Sequence, residues 1–457
     1  MPSCFVATSQ KPIRLHLIEA DSLSGWMEEQ GAGTLAGFLT STGFKAGAGE
    51  LALVPDASGA LVDVVFGLGD GEDSLALAAA SAKLPEGDYE IATNPDGYPM
   101  AHACAGWADG AYVFTRYVEA KKGPPRLVVS DDATREAAEL FAASADYVRD
   151  LINTPAGDMG PVEIAASAAD LAEEFGGECR VIIGDALLSE NYPMVHAVGR
   201  AAVQQPRYAE ISWGDENAPK LAIVGKGVAF DTGGLNIKTG NYMRLMKKDM
   251  GGAAHALGLA RMVMASGLNV RLSVHIPTVE NAVGSDAFRP GDVLSSRKGL
   301  SVEIDNTDAE GRLILADALA RACELSPDLV LDFATLTGAA RVAMGAEVVP
   351  YYTHDDTLAT QLDEASAETG DPIWRLPLWK RYQAMLKSSI ADVVNGASSP
   401  FAGSITAALF LDRFVSPGTS WAHFDLWGWR NSAYGRPEGG AAMTLRACFE
   451  MLKARYG

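Results

Sequence analysis

Four acidic side chains lie in apolar surroundings, where an ionised group is rare unless it is paired or binds a metal. They are Asp231 in AIVGKGVAFDTGG, Asp249 in KKDMGGAA, and Asp308 and Glu310 in IDNTDAEGR. In an extended chain residues i and i+2 point the same way, so Asp308 and Glu310 are expected to face one ion. Two divalent cations would neutralise the four carboxylates. The sequence therefore predicts a two-metal site suited to magnesium, manganese or a catalytic zinc pair.

Three basic residues, Lys226, Lys238 and Arg312, accompany these acids. Taken alone, each acid is more commonly a turn or cap residue, but four of them beside two lysines and an arginine favour a functional site. Other catalytic patterns are absent or incomplete. HExxH and GxSxG do not occur, the glycine-rich GKGVAFDTGG lacks the phosphate-loop order, and the SxxK at residues 295–298 has no companion motif.

The composition is that of a globular protein with an acidic surface. Of the 457 residues, 48% are apolar and 21% are charged, and the net charge is −21. This charge repels nucleic-acid phosphates and anionic membranes, so nucleic-acid binding is not expected. Five cysteines without a C-x-x-C pair indicate neither a disulfide framework nor a zinc ribbon. Since the sequence has no apolar leader and no run of about 18 apolar residues, we expect a cytoplasmic protein without a membrane span.

The elements that must position these residues alternate between strands and helices. Apolar stretches at 221–225 and 329–334 are typical of strands buried on both faces, and the patterns at 251–265 and 312–323 are typical of helices. This alternation indicates an α/β fold, whose ligand crevice lies at the carboxyl ends of the strands. A long Ala-rich helix is predicted over 131–152, and we place a domain boundary across it.

The same motifs resemble those of a known family. NTDAEGR at 306–312 resembles the signature of the leucyl aminopeptidase family, the two-metal cytosolic aminopeptidases. VGKGVAFDTGG, KDMGGAA, RDLINTP, AGSITAALFL and WAHFDL fit its other segments, so the resemblance covers roughly residues 145–457. It implies an α/β, two-domain fold, in which a helix (131–152) joins a smaller N-terminal α/β domain (1–130) to a C-terminal catalytic α/β domain with a central mixed sheet (153–457). It also implies a homohexamer.

The resemblance further implies a role for each residue at the metals. Lys226, Asp231, Asp249 and Glu310 would hold one metal, and Asp231, Asp308 and Glu310 would hold the other. Lys226 must be neutral to bind a metal, so its pKa would have to be strongly depressed. The implied ions are manganese or zinc, with magnesium and cobalt as alternatives.

The implied reaction removes the first residue of a peptide with a free N-terminus, using a water molecule that both metals activate. Lys238 resembles the family lysine that stabilises the developing oxyanion, and Arg312 resembles the arginine that anchors a bicarbonate ion as general base. The implied pocket favours Leu- or Met-like residues at the N-terminus of the peptide, and the set of accepted residues can be broader. The residues at its positions are Met246, Asn306, Thr335, Leu336 and Gly338.

Two departures from the family pattern concern this pocket. Lys248 stands before Asp249, where an aromatic or apolar residue is more common, and Trp427 and Trp429 replace small residues after WAHFDL. Two alternatives also stay open. One is a DNA-binding, regulatory or structural family member with weak or no peptidase activity, and the other is a two-metal phosphoesterase. The acidic charge argues against DNA, and Lys226 in a ligand set without histidine favours the peptidase.

Overall fold

The N-terminal part of the chain forms its own compact unit. The computed structural model describes residues 3–31, 33–120, 123–431 and 436–457. Two compact units divide the chain, one comprising 1–146 and 430–438 and the other 147–429 and 439–457. The strands of the first unit are β1 (Phe5–Val6), β2 (Ile13–Glu19), β3 (Leu51–Pro55), β4 (Leu61–Gly69), β5 (Gly87–Thr93) and β6 (Pro125–Val128). Its helices are α1 (Leu23–Glu29), α2 (Thr34–Thr42), α3 (Leu77–Ser81) and α4 (Met100–Ala111), with a 3₁₀ turn at Ala20–Ser22.

The sheet of this unit has the order β1-β6-β5-β2-β4-β3, with parallel pairs except for the antiparallel pair of β3 and β4. Apolar side chains of the strands and of α3 and α4 form one core, which includes Leu15, Phe66 and Trp107. The predicted metal-site residues all lie in the other unit.

Helix α5 (Asp132–Asn153) contains the point at which the chain passes from the first unit to the second. The strands that follow are β7 (Glu178–Ile183), β8 (Arg207–Trp213), β9 (Lys220–Gly225), β10 (Gly227–Asp231), β11 (Arg271–Asn281), β12 (Val293–Ser295), β13 (Ser301–Glu303), β14 (Leu329–Ala334), β15 (Val349–Tyr352), β16 (Ile373–Arg375), β17 (Val393–Val394), β18 (Trp421–Asp425), β19 (Trp429–Arg430) and β20 (Gly439–Gly440). The helices are α6 (Pro161–Glu174), α7 (Ala186–Ser189), α8 (Pro193–Gly199), α9 (Gly240–Met243), α10 (Gly251–Ala265), α11 (Gly311–Glu324), α12 (Gly338–Met344), α13 (Asp356–Thr369), α14 (Gly403–Asp412) and α15 (Leu445–Tyr456), with 3₁₀ turns at Met246–Met250 and Lys380–Leu386.

The main sheet of the second unit is mixed, in the order β16-β15-β18-β14-β9-β11-β8-β7. Strands β18, β14, β9 and β11 run parallel, whereas β15 and β8 are antiparallel to their neighbours β18 and β11. Every residue of β14 is buried, as expected for a parallel strand covered on both faces. The carboxyl ends of the parallel strands lie at one edge of the sheet, where an open α/β fold forms its ligand crevice.

Helices α10 and α11 are buried on nearly every side and are apolar around most of their circumference. They begin at the carboxyl edge of the sheet, directly after Met250 and Glu310. Among the described residues, no helix is both long and apolar enough to cross a membrane.

His255 of α10 is fully buried and bonds to the backbone through both ring nitrogens. Nδ1 lies 2.6 Å from the carbonyl oxygen of Gly251, and Nε2 lies 3.0 Å from the amide nitrogen of Met443. Nδ1 must donate to the carbonyl and Nε2 must accept from the N–H, so these partners require the neutral ring. Burial lowers the pKa of His255 to about 4.

His255 should make the stability of the fold depend on pH. In the unfolded chain His255 has the ordinary pKa of about 6.5. Below that pH the unfolded state therefore binds a proton at His255 that the folded state does not bind. The contribution of His255 to the free energy of unfolding is therefore fully present above about pH 6.5. It is lost towards pH 4, by up to about 1.4 kcal/mol per pH unit. We expect urea unfolding of a His255→Gln variant to depend less steeply on pH in this range. An equally steep dependence in variant and wild type would contradict this role.

Candidate metal centre and active site

Lys226 follows β9 and joins three segments of the site. Its buried Nζ lies 2.6 Å from Asp249 Oδ2 and 3.1 Å from Glu310 Oε1. It also donates a hydrogen bond of 2.9 Å to the carbonyl oxygen of Thr335. Asp249 lies in the 3₁₀ turn before α10, Glu310 directly precedes α11, and Thr335 follows β14. One ammonium group thus connects the ends of two strands with the starts of two helices.

Lys238 makes a second link between acidic residues. Its Nζ lies 2.9 Å from Asp231 Oδ2 and 2.5 Å from Asp308 Oδ1. Asp231 is the last residue of β10 and is buried. The side chains of Lys238 and Asp308 are 14% and 31% exposed, so this part of the site is open to solvent while the surroundings of Lys226 are not.

Three carboxylates form a group that could hold a cation. One oxygen each of Asp231, Asp308 and Glu310 lies within 4.8 Å of the other two. Among the described residues, Glu310 Oε2 is buried and has no hydrogen-bond partner. A buried carboxylate oxygen without a donor is costly unless a cation completes its surroundings. The donor set and the unsatisfied oxygen therefore fit a divalent cation that prefers oxygen ligands.

The crowding of charges shifts several pKa values. Burial and the nearby charge of Asp231 raise the pKa of Asp308 to about 6 and also raise the pKa of Glu310. Burial alone would lower the pKa of Lys226, but the charges of Asp249, Glu310 and Asp231 outweigh it, and the pKa lies above its ordinary value. A neutral Lys226, which metal ligation requires, therefore needs positive charge beyond what these residues supply.

The segment carrying Asp308 and Glu310 is a turn. The prediction that these residues point the same way in extended chain was wrong, because residues 306–310 fold into a turn that leads into α11. Asn306 holds this turn, since its Oδ1 accepts a hydrogen bond of 2.8 Å from the amide of Asp308. The two carboxylates converge because the chain folds back, not because of strand periodicity.

Two uncharged side chains fix the loops around Asp231. Thr307 donates from Oγ1 to the carbonyl oxygen of Gly233 at 2.6 Å, and its amide donates to Asn236 Oδ1 at 2.9 Å. Asn281 ends β11 and donates from Nδ2 to Asp231 Oδ1 at 2.8 Å and to the carbonyl oxygen of Thr307 at 3.0 Å. Asp231 and the loops beside it are thereby positioned without any further charge in the site.

Asn395, which follows β17, also holds the turn that carries Asp308 and Glu310. It is fully buried, and its Oδ1 accepts from the amides of Asp305 and Asn306 at 2.9 and 3.2 Å. Its Nδ2 donates to the carbonyl oxygen of Asn306 at 2.7 Å. Its own carbonyl oxygen accepts from Arg312 Nη1 at 2.7 Å. A single residue therefore sets the position of both the turn and the arginine.

Arg312 is a buried guanidinium in the first turn of α11. Burial lowers its pKa to about 10, so it stays protonated at neutral pH. Its Nε is buried and has no hydrogen-bond partner among the described residues. An unsatisfied N–H on a buried cation is a suitable donor for an anion.

Asp425, at the end of β18, holds the segment that follows β14. Its Oδ1 accepts from the amides of Leu336 and Thr337 at 3.1 and 3.0 Å. Thr335 Oγ1 donates to Asp249 Oδ1 at 2.9 Å. The segment predicted to contact the substrate is therefore bonded directly to the predicted metal site.

The 3₁₀ turn that contains Asp249 also carries Met246 and Lys248, and both are buried. Lys248 Nζ lies 4.0 Å from the ring centroid of Trp427, and the guanidinium carbon of Arg341 lies 4.1 Å from the same centroid. Burial lowers the pKa of Lys248 to about 8.

Two glycines allow the elements to approach one another. A Cβ at Gly311 would lie 2.4 Å from Lys226 Cε, and a Cβ at Gly252 would lie 2.2 Å from the carbonyl oxygen of Phe333. Both distances are shorter than heavy atoms allow, so the glycines of AEGR and DMGGAA are required by the close packing of Lys226 and α10.

The structure brings the predicted ligands and Lys238 into one network of contacts, with Arg312 in the helix that follows Glu310. Their roles stay predictions. The residues that position them were not among the predicted site residues, apart from Asn306, and only some of them stand out in the sequence pattern. Asn281 and Asp425 are polar residues at the ends of apolar strands, whereas Thr307 and Asn395 have no comparable pattern around them.

Comparison with known proteins identifies the family. The model of the cytosol aminopeptidase family catalytic domain matches residues 146–449, and the M17 aminopeptidase N-terminal domain model matches residues 13–130. The chain belongs to the cytosol aminopeptidase family. The predicted family is confirmed, as is the α/β fold with a smaller N-terminal domain and a catalytic domain. The chain is a hydrolase of a metal-dependent peptidase family.

Individual relatives agree with this assignment. The chain is 35% identical over 437 residues to a probable cytosol aminopeptidase of Aquifex aeolicus, which covers 90% of this chain and 88% of the relative. A crystal structure of a cytosol aminopeptidase from Coxiella burnetii has 44% identity and a TM-score of 0.94, covering 99% of this chain and 100% of that one. The bottromycin maturation enzyme BotP in complex with Mn has 31% identity and a TM-score of 0.86, with 97% and 99% covered. The DNA-binding and phosphoesterase alternatives gain no support from these relatives.

Replacing Asn395 with alanine should loosen the turn that carries Asp308 and Glu310. The change removes the acceptor of two partly buried N–H groups and the donor to the Asn306 carbonyl oxygen, and each lost hydrogen bond costs roughly 1 kcal/mol. We expect the free energy of unfolding to fall by about 2–4 kcal/mol in urea titrations. The exposed Asn217 is the matched control, and Asn217→Ala should stay within about 0.5 kcal/mol of wild type. An Asn395→Ala variant as stable as wild type would refute this positioning role.

Proposed function

We propose that the chain is a two-metal aminopeptidase that removes the first residue from peptides with a free α-amine. The main support for this proposal is the group of carboxylate oxygens of Asp231, Asp308 and Glu310. These oxygens lie within 4.8 Å of one another in the catalytic domain of an aminopeptidase family. The apolar side chains of Met246 and Leu336 support a preference for Leu- or Met-like first residues of the peptide, with other first residues also accepted. Peptide substrates follow from the family itself.

Two sets of side chains would hold the ions. Lys226, Asp231, Asp249 and Glu310 would bind one, and Asp231, Asp308 and Glu310 would bind the other, so Asp231 and Glu310 would bridge. The unpaired Glu310 Oε2 and the raised pKa values of Asp308 and Glu310 support cations at this place. We propose manganese or zinc, with magnesium and cobalt as alternatives that suit similar ligands. The BotP relative has Mn in its structure.

Divalent cations held in this way lower the pKa of a water molecule and polarise a substrate carbonyl. The chain's residues supply the remaining polar groups. Lys238 lies between Asp231 and Asp308, and its partly exposed ammonium is proposed to donate to the carbonyl oxygen as that oxygen becomes negative. Arg312 has an unsatisfied Nε, which supports a bicarbonate ion bound there as the acceptor of the water's proton.

The first residue of the substrate is proposed to lie against the segment after β14 and the 3₁₀ turn before α10. The N–H groups of Leu336 and Thr337 are held by Asp425, so this segment would present a fixed surface to the substrate. The proposed contacts are Met246, Asn306, Thr335, Leu336 and Gly338.

We also propose a homohexamer in the cytoplasm. The hexamer rests on the family resemblance, and the location rests on the names of relatives described as cytosol aminopeptidases. Catalysis is assigned to residues 153–457, with 131–152 as the connecting helix and 1–130 as the N-terminal domain.

The activity itself is tested with leucine p-nitroanilide. We expect the purified protein to hydrolyse it with manganese, to lose activity with a chelator, and to leave the N-acetylated substrate intact because the free amine is required. Asp308→Ala should lower kcat/KM by more than about 100-fold, since changes outside the ligand set already cost 10–100-fold. Asp286→Ala, an exposed acid in a loop, serves as the control. A folded protein that is inactive with every divalent ion would overturn the proposal.

Metal binding by Lys226 is tested separately from activity. A Lys226→Arg variant cannot offer a neutral nitrogen, because arginine stays protonated in proteins. We expect its manganese content after dialysis to fall by at least one ion per subunit, measured by elemental analysis. Lys453→Arg on the exposed face of α15 should keep the wild-type content. Unchanged manganese content in Lys226→Arg would exclude the lysine as a ligand.

A further inference from the structure

His423 of β18 is a buried titratable group that the proposed reaction does not use. It is fully buried, and its Nδ1 lies 2.6 Å from Oδ1 of Asp332, its register partner on β14. Trp421 Nε1 donates to the other oxygen of the same carboxylate at 2.6 Å. An ionised carboxylate inside a protein needs an opposite charge nearby, so this pairing favours a protonated imidazole ring.

The charges around His423 agree with the protonated form. Burial lowers the pKa of His423, but the charge of Asp332 outweighs this effect, and the pKa lies above its ordinary value. The charge of Asp425 on the same strand also raises it, whereas the charge of Arg312 in α11 lowers it. In the imidazolium both ring nitrogens carry a proton. Within the described parts of the chain, the buried Nε2 has no hydrogen-bond partner.

A continuous chain of contacts leads from His423 to Asp425. The ring of His423 stacks on the ring of Tyr352 in β15, with centroids 5.8 Å apart. The hydroxyl of Tyr352 is hydrogen-bonded to Ser404 Oγ, and Ser404 Oγ donates to Asp425 Oδ2 at 3.3 Å. Thr337 Oγ1 donates to the same oxygen at 2.6 Å. His423 therefore acts on Asp425 both through its charge and through packed neighbours.

Asp425 links this chain of contacts with the substrate. Its Oδ1 accepts from the amides of Leu336 and Thr337, which follow β14 in the segment proposed to bind the first residue. An ionised carboxylate accepts at both oxygens, whereas a protonated one must use one oxygen as a donor. Burial raises the pKa of Asp425, and the charge of His423 opposes this rise. Loss of that charge would favour the protonated form and loosen the segment.

We propose that His423 is a positioning residue for the aminopeptidase reaction: as an imidazolium bound to Asp332 it keeps Asp425 ionised, and Asp425 holds the segment that receives the first residue of the peptide. This inference rests on the proposed aminopeptidase function and adds a residue that does not touch the substrate. Because the segment contacts the substrate before the reaction, loss of the imidazolium should weaken substrate binding more than it slows the chemical step.

Hydrolysis of leucine p-nitroanilide by the manganese-loaded protein tests this role. His423→Asn keeps a donor for Asp332 but carries no charge. We expect KM to rise by roughly tenfold while kcat changes much less. Asp332→Asn is the second variant and should give the same result, because it removes the charge that favours the imidazolium. His354→Asn, at an exposed histidine bonded to Asp412, is the control and should keep the wild-type KM.

A double-mutant cycle tests whether His423 acts through Asp425. Asp425→Asn imitates the uncharged carboxyl group and should itself raise KM. In that background His423→Asn should raise KM much less than it does in the wild type, because the charge it removes no longer has a carboxylate to act on. Increases in KM that combine independently, or a wild-type KM in His423→Asn, would overturn the proposal.

The pH dependence tests the charge itself. His423 is protonated below its pKa, so the wild type should lose the effect of the imidazolium as the pH rises through that value. The ratio of the KM of His423→Asn to that of the wild type should therefore fall towards one between about pH 6 and 9. A constant ratio would overturn the proposal. If neither variant folds, a wild-type KM that does not rise over this range would do the same.

The wild-type protein separates the two proposals. If the manganese-loaded wild type hydrolyses no substrate, the proposed function falls together with this inference. If it is active but the variants and the pH series give the opposing results, the role of His423 is refuted and the aminopeptidase stands.

Discussion

The buried ammonium group of Lys226 is the interaction on which the catalytic unit depends. It is shared by Asp249 and Glu310, which precede α10 and α11, and it follows directly on β9. Without a positive charge at this place, from the ammonium group or from a metal ion that would bind there, two buried carboxylates would lack a cation, at a cost of roughly 3–5 kcal/mol. The same ammonium fixes where both helices begin, and it occupies the space that a side chain at residue 311 would need. Charge and packing therefore impose the same arrangement.

The carboxylates around Lys226 and Lys238 carry more negative charge than these lysines neutralise, so they repel one another and must be held from outside. The holding groups are uncharged: Asn281 and Thr307 for Asp231 and its loop, and Asn395 for the turn that bears Asp308 and Glu310. Arginines in these places would also bind carboxylates, but they would cancel the negative potential. Amide and hydroxyl groups give the same geometry and leave that potential intact, as a site for cations requires.

Sequence patterns predicted the parts of this arrangement that are local. The strands at 221–225 and 329–334 and the helices that follow the acids are visible because apolar runs and periodicity are short-range properties. The turn at 306–310 was wrongly predicted as extended chain. Its conformation depends on Asn306 and on Asn395, and Asn395 lies 83 residues beyond Arg312. Partners so distant in the chain leave no periodic signal. Residues that carry charge in apolar surroundings could be found, but the neutral residues that position them could not.

Lys248 shows where sequence and structure each contribute. Its unusual place before Asp249 is visible in the sequence, but a lysine there could equally have been an exposed residue of a polar turn. Only the structure shows that Lys248 is buried, that it contacts the Trp427 ring, and that the charges of Asp249 and Asp425 act on it. The candidate ligands come from strand ends and helix starts, whereas Lys248 and Trp427 lie beside them without contributing a ligand atom. The residues at these neighbouring positions can therefore differ while the charges at the centre, and the packing that depends on them, stay the same.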